Sequence, residues 1–467
     1  MAPSSPPLAS IFSKQRGVST LASEPIISVS GLRGIIGQTL TPEVAIRYAS
    51  SFAAQLPPGP LVITRDGRAT GRMLADVIRG ALCGMGREVI DADVAATPTT
   101  GVLVRDLQAI GGIQISASHN PPEYNGMKLF SREGRVISDA AGQPVLAAYR
   151  SGQTPSWVSH DQVGHVVECG DTLEAHFRLV CATVDVEAIR ERRFRVLLDS
   201  NHGAGSLLGR KLLEHLNCDC TILGTPPDGQ FEHTPEPTAE NLQGISSRVV
   251  DAGAAVGFCQ DPDADRLALI DENGRYVGEE FTLAICVDHV LQRTPGPIVT
   301  NCSTSRMSQD LAEKYGVPFF HAKVGEANVT AEMIARKAVF GGEGNGGPID
   351  PRVGFVRDSF VGMAMTLDRM AQTGQPLSQI VDALPQYAIH KTKVSVAADQ
   401  IPAALDKLEQ HFRDAQASRM DGLRLDWPGR WLLVRGSNTE PIVRLIAEAS
   451  DAAVAEELCL TAAQVLG

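Results

Sequence analysis

The sequence lacks the features that would mark a membrane or nucleic-acid partner. None of its apolar runs approaches the length of a membrane span. Basic residues are outnumbered, because 42 Lys and Arg stand against 54 Asp and Glu, and the net charge is -12 at pH 7. We therefore predict no membrane segment and no nucleic-acid binding. A small anionic ligand is compatible with this charge, because a local arginine cluster can override the field of the whole chain.

Closely spaced cysteines are scarce, and so are acidic residues near the N-terminus. The nine cysteines are scattered, none is spaced as CxxC, and Cys218 and Cys220 form the only close pair. An odd number of scattered thiols indicates a reducing compartment, so we predict a cytoplasmic protein. Residues 1–23 are rich in Ser and Pro and carry only Lys14 and Arg16 as charges. We interpret them as a disordered extension, with a transit peptide as the alternative.

Strand-like apolar runs alternate with helical patterns along most of the chain. Examples are a strand at residues 61–64, a helix at Gly71–Gly84 and a strand at Gly111–Ile115. Such alternation is typical of βαβ units with parallel or mixed sheets. From about residue 389 the pattern changes to strands around a helix at 403–417, followed by a terminal helix, which predicts an α+β unit.

A chain of 467 residues is too long for one compact core, so we expect three or four domains. The predicted fold class is α/β, with three mixed α/β domains and a smaller α+β domain at the C-terminal end. The inferred boundaries are 1–23 for the extension, 24–165, 166–277 and 278–388 for the α/β domains, and 389–467 for the last domain.

A short polar loop at residues 116–121 follows the strand at Gly111–Ile115 and presents Ser118. We predict that Ser118 is a nucleophile that carries a phosphoryl group. A serine in a loop is more often a turn former or a helix cap, so this prediction depends on further motifs. Lys128 can return to the same site, where burial or cationic neighbours would lower its pKa toward the range of an acid–base group. An ordinary surface lysine is the alternative.

Three aspartates alternate in the segment Asp261-Pro262-Asp263-Ala264-Asp265. In a tight loop their carboxylates converge, and they repel one another unless a cation neutralises them. Hard oxygen ligands beside a phosphate suit Mg²⁺, which makes phosphorus more electrophilic. We therefore predict a Mg²⁺ site with Asp261, Asp263 and Asp265 as ligands.

Two loops in the second half of the chain carry side chains suited to a sugar phosphate. Glu343 and Asn345 lie in a run with five glycines at 341–347, where both side chains can read hydroxyl groups. A flexible turn without a ligand is the alternative. In a later loop, backbone N–H groups, hydroxyls and guanidinium groups can hold phosphate, although a polar turn would have the same composition. The residues of that later loop are Arg435, Ser437, Asn438, Thr439 and Arg444.

These motifs, in this order, resemble the α-D-phosphohexomutases, which include phosphomannomutase/phosphoglucomutase and phosphoglucosamine mutase. The resemblance extends from about Ile26 to the C-terminus. It implies three related α/β domains and a distinct C-terminal domain around a central cleft. It also implies that Ser118 is held as phosphoserine, with its phosphate as a further metal ligand. By the same resemblance, Glu343 and Asn345 contact the sugar, and the loop from Arg435 grips the phosphate that is not reacting.

The resemblance assigns roles to further residues around the serine and the aspartates. Arg33 matches an arginine that stabilises charge beside the phosphoserine, and His119 supports the serine loop. Arg266, which follows the last aspartate, belongs with the substrate-binding residues. Pro262 and Ala264 stand where the family has glycines, so a position there that needs a positive φ would be resisted.

The resemblance thus implies a Mg²⁺-dependent phosphohexomutase whose partner is a small sugar phosphate. Phospho-Ser118 would pass its phosphoryl group to a hexose or hexosamine monophosphate. The resulting hexose bisphosphate, which also serves as activator, would turn around and return its other phosphoryl group. Glu326 matches an acidic residue of phosphoglucosamine mutases, although an acid at a helix start is the alternative. A sugar-phosphate phosphatase and a non-catalytic sugar-phosphate binder are the other functions that the residues allow.

Overall fold

The computed structural model describes residues 24–28, 31–153, 156–436 and 442–466. These residues form four β-sheets that pack against helices, and the predicted fold class is confirmed. No helix in the described ranges is long and apolar enough to cross a membrane. The predicted extension at 1–23 and the predicted phosphate-binding residues Ser437, Asn438 and Thr439 lie outside the described residues.

The first sheet contains seven strands and packs against four helices. Its strands are β1 (Ile26–Ser28), β2 (Gly31–Ile35), β3 (Leu61–Arg65), β4 (Val89–Val94), β5 (Gly111–Ile115), β6 (Tyr124–Ser131) and β7 (Val166–Glu168). Its helices are α1 (Pro42–Ala53), α2 (Gly71–Gly84), α3 (Thr97–Asp106) and α4 (Asp139–Ser151). The order is β1-β2-β6-β5-β3-β4-β7, with parallel pairing among β5, β3, β4 and β7 and antiparallel pairing elsewhere. Strand β7 lies just past residue 165, the predicted end of the first domain.

The second and third sheets have the same topology, with three parallel strands and one antiparallel strand at an edge. The second sheet contains β8 (Arg195–Asp199), β9 (Asp219–Leu223), β10 (Val256–Gln260) and β11 (Leu267–Asp271), in the order β11-β10-β8-β9. Its helices are α5 (Glu174–Cys181), α6 (Val186–Arg192), α7 (Gly205–His215) and α8 (Gln243–Asp251). The antiparallel pair is β10 with β11.

The third sheet contains β12 (Ile298–Asn301), β13 (Phe319–Ala322), β14 (Phe340–Glu343) and β15 (Gly347–Ile349), in the order β13-β12-β14-β15. Its helices are α9 (Glu279–Leu291), α10 (Met307–Lys314), α11 (Glu326–Arg336), α12 (Ser359–Thr373) and α13 (Leu377–Asp382). Here β14 and β15 form the antiparallel pair, and they flank the glycine-rich loop.

The fourth sheet is antiparallel throughout, in the order β16-β20-β19-β18-β17. Its strands are β16 (Ala388–Ser395), β17 (Gln416–Ser418), β18 (Leu423–Trp427), β19 (Arg430–Gly436) and β20 (Ile442–Ala449). A 3-10 helix (Ala398–Gln400) precedes α14 (Ile401–His411), and α15 (Ala452–Leu466) follows the sheet. The helix predicted at 403–417 was too long, because residues 416–418 pair with β18 instead of continuing α14.

Helix α12 joins the second and third sheets. It is buried along most of its length within one hydrophobic core that spans both sheets, whereas the first and fourth sheets have separate cores. Asp358 is the N-cap of the helix, and its side chain accepts hydrogen bonds from the backbone N–H groups of Phe360 and Val361. This cap fixes the turn just before α12, which carries Arg357 toward the third sheet's glycine-rich loop.

The predicted functional loops lie at the carboxyl ends of strands. Ser118 follows β5, the aspartates follow β10, Glu343 is the last residue of β14, and Arg435 is the penultimate residue of β19. In α/β proteins, ligands bind outside the carboxyl ends of the strands. The topology therefore brings the serine, the carboxylates and the glycine-rich loop to one region.

Candidate active site

Ser118 lies in a tight turn directly after β5, with a backbone φ of +49°. This left-handed conformation is uncommon for a residue with a side chain and is found at functional sites. The Ser116 hydroxyl accepts a hydrogen bond from the Ser118 N–H at 2.8 Å. The Ser118 hydroxyl donates to Oδ2 of Asp261 at 2.7 Å and lies 3.3 Å from Nδ1 of His119. The fold thus joins the predicted nucleophile to the predicted metal loop.

Arg68 holds the serine loop. By resemblance to the family, its segment at residues 65–71 was interpreted as structural support for the first domain, without a role at the serine. Its side chain is buried, and its Nη1 and Nη2 donate to four backbone carbonyl groups of the loop. Nε donates to Asp66, which also accepts a hydrogen bond from the Ser116 hydroxyl at 2.6 Å. The four carbonyl acceptors belong to Ser118, Asn120, Pro121 and Tyr124, at 2.5 to 3.0 Å. One guanidinium group therefore shapes the whole turn that presents the serine.

The three aspartates converge, with carboxylate oxygens within 4.8 Å of one another, and all three are fully buried. The Thr97 hydroxyl at the start of α3 donates to Oδ2 of Asp263 at 2.5 Å and so links the first sheet to this loop. Ala264 has a φ of +54°, so one glycine-like position of the loop is occupied by alanine in spite of the expected resistance. The loop therefore keeps a glycine-type turn at the cost of local strain.

The carboxylates present the donor set that a hard divalent cation requires. Oδ1 of Asp263 and Oδ1 of Asp265 are buried and accept no hydrogen bond from any residue that the structure describes. Burial, and then the charges of Asp263 and Asp265, raise the pKa of Asp261 well above its usual range. Buried carboxylates with unused oxygens suit Mg²⁺, which binds oxygen ligands and would neutralise this charge.

Lys128 on β6 lies against the same carboxylates. Its Nζ is 2.6 Å from Oδ2 of both Asp263 and Asp265. Burial by itself lowers the pKa of Lys128, but the charges of Asp263 and Asp265 outweigh burial and raise it. The expected lowering of this pKa was therefore wrong, because the neighbours of the buried amine are anions and not cations. Lys128 is an ammonium group at neutral pH.

Cationic and neutral side chains line the serine side of the site. Nη1 of Arg33 donates to the Asn120 side chain at 3.3 Å. Burial, followed by the charges of Arg266 and Arg33, lowers the pKa of His119 to about 2. His119 is therefore a neutral imidazole. Nη1 of Arg266 lies 3.5 Å from a carboxylate oxygen of Glu236.

Glu343, the last residue of β14, is held by donors from three other segments. Its Oε1 accepts hydrogen bonds from the Asn301 side chain at 2.7 Å and from the Gly325 N–H at 2.9 Å. Oε2 accepts from Nη1 of Arg357 at 2.8 Å. A carboxylate has about four acceptor positions, so capacity for a hydroxyl donor is left. The buried side-chain oxygen of Asn345 accepts no hydrogen bond from the described residues and is available to a ligand.

Arg357 and Glu326 complete the cluster, and sequence analysis did not single out Arg357. Nη2 of Arg357 donates to Oδ2 of Asp265 at 2.7 Å. Glu326 is the first residue of α11 and accepts a hydrogen bond from the Arg357 backbone N–H at 2.7 Å. Burial raises the pKa of Glu326 to about 7, against the opposing charge of Arg357.

The described part of the predicted phosphate loop presents a row of cations. Arg435 on β19 lies opposite Arg444 on β20, and Arg444 lies opposite Lys393 on β16. Opposed residues of an antiparallel pair share one face, where like charges repel and an anion is favoured. Nε of Arg435 is 3.2 Å from Asp421, which also accepts a hydrogen bond from the Val324 N–H. Sequence analysis missed Lys393, because its place beside the two arginines depends on strand order.

The site combines a serine that is hydrogen-bonded to a buried carboxylate cluster, several cationic side chains and a polar glycine-rich loop. Such a site is suited to phosphoryl transfer on a small polar ligand. Family models of phosphoglucomutase/phosphomannomutase match almost the whole chain. They are alpha/beta/alpha domain I at residues 25–155, domain II at 174–274, domain III at 279–387 and the C-terminal domain at 392–465. The chain belongs to this family, and the resemblance seen in its motifs is confirmed.

Individual relatives agree with the family match along more than nine-tenths of the chain. The phosphoglucomutase/phosphomannomutase of Thermococcus kodakarensis is 35% identical over 438 residues, which cover 91% of this chain and 95% of the relative. A probable phosphoglucosamine mutase of Methanopyrus kandleri is 30% identical, and the match covers 92% of this chain and 95% of the relative. The crystal structure of a phosphoglucomutase/phosphomannomutase family protein from Burkholderia thailandensis has a TM-score of 0.77 at 25% identity. The match covers 94% of this chain and 98% of that protein's chain. The chain is therefore an enzyme of the phosphohexomutase class.

Proposed function

We propose that the enzyme interconverts the 6-phosphate and 1-phosphate of a hexose or hexosamine, with Ser118 as the phosphoryl carrier. The observation that carries this assignment is the 2.7 Å hydrogen bond from the Ser118 hydroxyl to Asp261, within a buried carboxylate cluster. Phospho-Ser118 gives its phosphoryl group to the free hydroxyl of the monophosphate. The bisphosphate then turns around in the cleft, and Ser118 takes back the other phosphoryl group.

The side chains around Ser118 bind the metal, transfer a proton and stabilise charge. Asp261, Asp263 and Asp265 would hold Mg²⁺, which supplies positive charge to the phosphoryl oxygens when bound. Lys128, an ammonium group in this setting, donates a proton to the departing oxygen, and the proton of the attacking hydroxyl restores the ammonium group. Arg33 stabilises charge on the phosphoryl group, and neutral His119 supports the serine loop.

The ligand side of the cleft holds the sugar and its second phosphate. Glu343 and Asn345 bind hydroxyl groups in both orientations of the sugar, because at least one acceptor position on each is open. Arg435 and Arg444 bind the phosphate that is not reacting, together with Ser437, Asn438 and Thr439. Two groups of cations, Arg33 near Ser118 and the pair Arg435 and Arg444, would let either phosphate face Ser118.

The test is turnover of the 1-phosphates of glucosamine, mannose and glucose with Mg²⁺ and a hexose bisphosphate activator. We expect isomer formation by the wild-type enzyme and none by Ser118→Ala, because this variant lacks the oxygen that carries the phosphoryl group. Release of inorganic phosphate without isomer formation would contradict the mutase assignment and indicate a phosphatase. Binding without turnover, by protein that contains no phosphoserine, would indicate a non-catalytic binder.

A further inference from the structure

The Arg357 guanidinium bonds to two different functional loops at once. Nη1 donates to Glu343 of the glycine-rich loop at 2.8 Å, and Nη2 donates to Asp265 of the aspartate loop at 2.7 Å. Arg357 is 7% exposed, and both carboxylates are at least as deeply buried. Because the guanidinium group is planar and rigid, its two terminal nitrogens set the spacing of the two carboxylates.

Glu326 holds the main chain of Arg357. Its Oε1 accepts the Arg357 backbone N–H at 2.7 Å, and its Oε2 lies 3.8 Å from Nε of the same residue. The neighbouring Gly325 N–H donates to Glu343. The start of α11 is therefore tied both to the arginine and to one of the carboxylates that the arginine binds. Both oxygens of Glu326 face Arg357, an arrangement that suits a positioning group better than a proton donor to a sugar.

We propose that Arg357 is a positioning residue that couples the metal loop to the sugar loop, and that Glu326 acts by holding Arg357 in place. This inference rests on the proposed function. Metal binding orients Asp265, the bridge transmits that orientation to Glu343, and the coupling works equally in the reverse direction. A lysine would keep the charge but cannot donate along two fixed directions, so the bridge depends on arginine itself.

The test uses Arg357→Lys, with Arg352→Lys as the matched control. Arg352 lies five residues earlier in the same connection between β15 and α12, is half-exposed and pairs with Asp350. Mn²⁺ affinity and glucose 1,6-bisphosphate affinity are measured by titration without turnover, and circular dichroism checks the fold. We expect Arg357→Lys to weaken both affinities by about tenfold or more, as for other groups that orient metal ligands. The control should change neither. Loss of only one affinity, or of neither, would overturn the bridge.

Two variants of Glu326 separate positioning from proton transfer. Glu326→Ala removes the acceptor of the Arg357 N–H and should raise KM and weaken Mn²⁺ binding in the same direction as Arg357→Lys. Glu326→Gln keeps an acceptor oxygen and should recover most of that loss, with the pH profile of kcat unchanged. A Glu326→Gln enzyme with low kcat and an altered pH profile would contradict the positioning role. Because the Mn²⁺ titration needs no turnover, the bridge is tested even if the mutase assignment fails.

Discussion

Replacement of Arg68 by lysine should disable the serine loop while leaving the rest of the enzyme folded. The side chain of Arg68 makes five hydrogen bonds, one to the Asp66 carboxylate and four to carbonyl groups of the loop around Ser118. A lysine ammonium group has three donors, so at least two of these buried acceptors lose their partner. The loop then exchanges its single conformation for a set of alternatives.

The size of the effect follows from those lost bonds. A buried acceptor left without a donor costs about 1–3 kcal/mol, so two of them cost roughly 2–6 kcal/mol. Water can reach part of this loop, so we take about 2–4 kcal/mol. At about 1.4 kcal/mol for each factor of ten in rate, kcat/KM should fall by about 30- to 700-fold. The loss should fall on kcat/KM because the conformation that presents Ser118 becomes rare.

The assay compares kcat/KM and phosphoserine content, the latter from intact mass, in Arg68→Lys and the wild-type enzyme. Arg72→Lys is the matched control, because Arg72 lies four residues further on, in the first turn of α2, and has a 65% exposed side chain that pairs with Asp76. The thermal midpoint reports the fold, since one unfolding free energy is not defined for a multidomain chain. An Arg68→Lys enzyme within threefold of wild type, with phosphoserine intact, would refute the role of this arginine.

Two further substitutions test other contacts of the site. Thr97→Val removes the hydroxyl that donates to Asp263, so Mn²⁺ affinity measured by titration should fall about 10- to 100-fold. Unchanged Mn²⁺ affinity would contradict this support of the aspartate loop. Lys393→Met removes one cation from the row beside Arg444 and should raise KM for sugar phosphates by at most about fivefold, because an exposed charge contributes no more than about 1 kcal/mol. Steady-state kinetics at low salt measures this change in KM. A lower kcat would contradict a role for Lys393 in substrate binding alone.

Local patterns predicted most of the secondary structure. The strand at Gly111–Ile115 and the helix at Gly71–Gly84 have the predicted bounds, because alternation and helical periodicity are strong there. The helix near residue 403 was predicted to end six residues too late. Its apolar pattern continues past His411, but pairing of residues 416–418 with β18 outweighs helix propensity.

The candidate loops could be proposed from the sequence because each carries its chemistry in a short segment. Three alternating aspartates require a cation wherever they converge, and a run of glycines with two polar side chains suits close approach to a ligand. The supporting residues could not be predicted in this way. Arg68 was interpreted only as part of a segment that supports the first domain, and Arg357 and Lys393 are ordinary basic residues in the sequence. The contacts of all three involve acceptors or neighbours that are distant along the chain.

The sequence by itself determined the α/β class, the loops that follow the strands, and the residue types that phosphoryl transfer needs. These properties depend on local periodicity and on the intrinsic chemistry of side chains. Only the tertiary structure decided which groups meet. It joins Ser118 to Asp261 across 143 residues, and it places Lys128 among anions, which reverses the expected direction of its pKa shift. Contacts between distant segments depend on how the sheets pack, and so does the electrostatic environment of each buried charge.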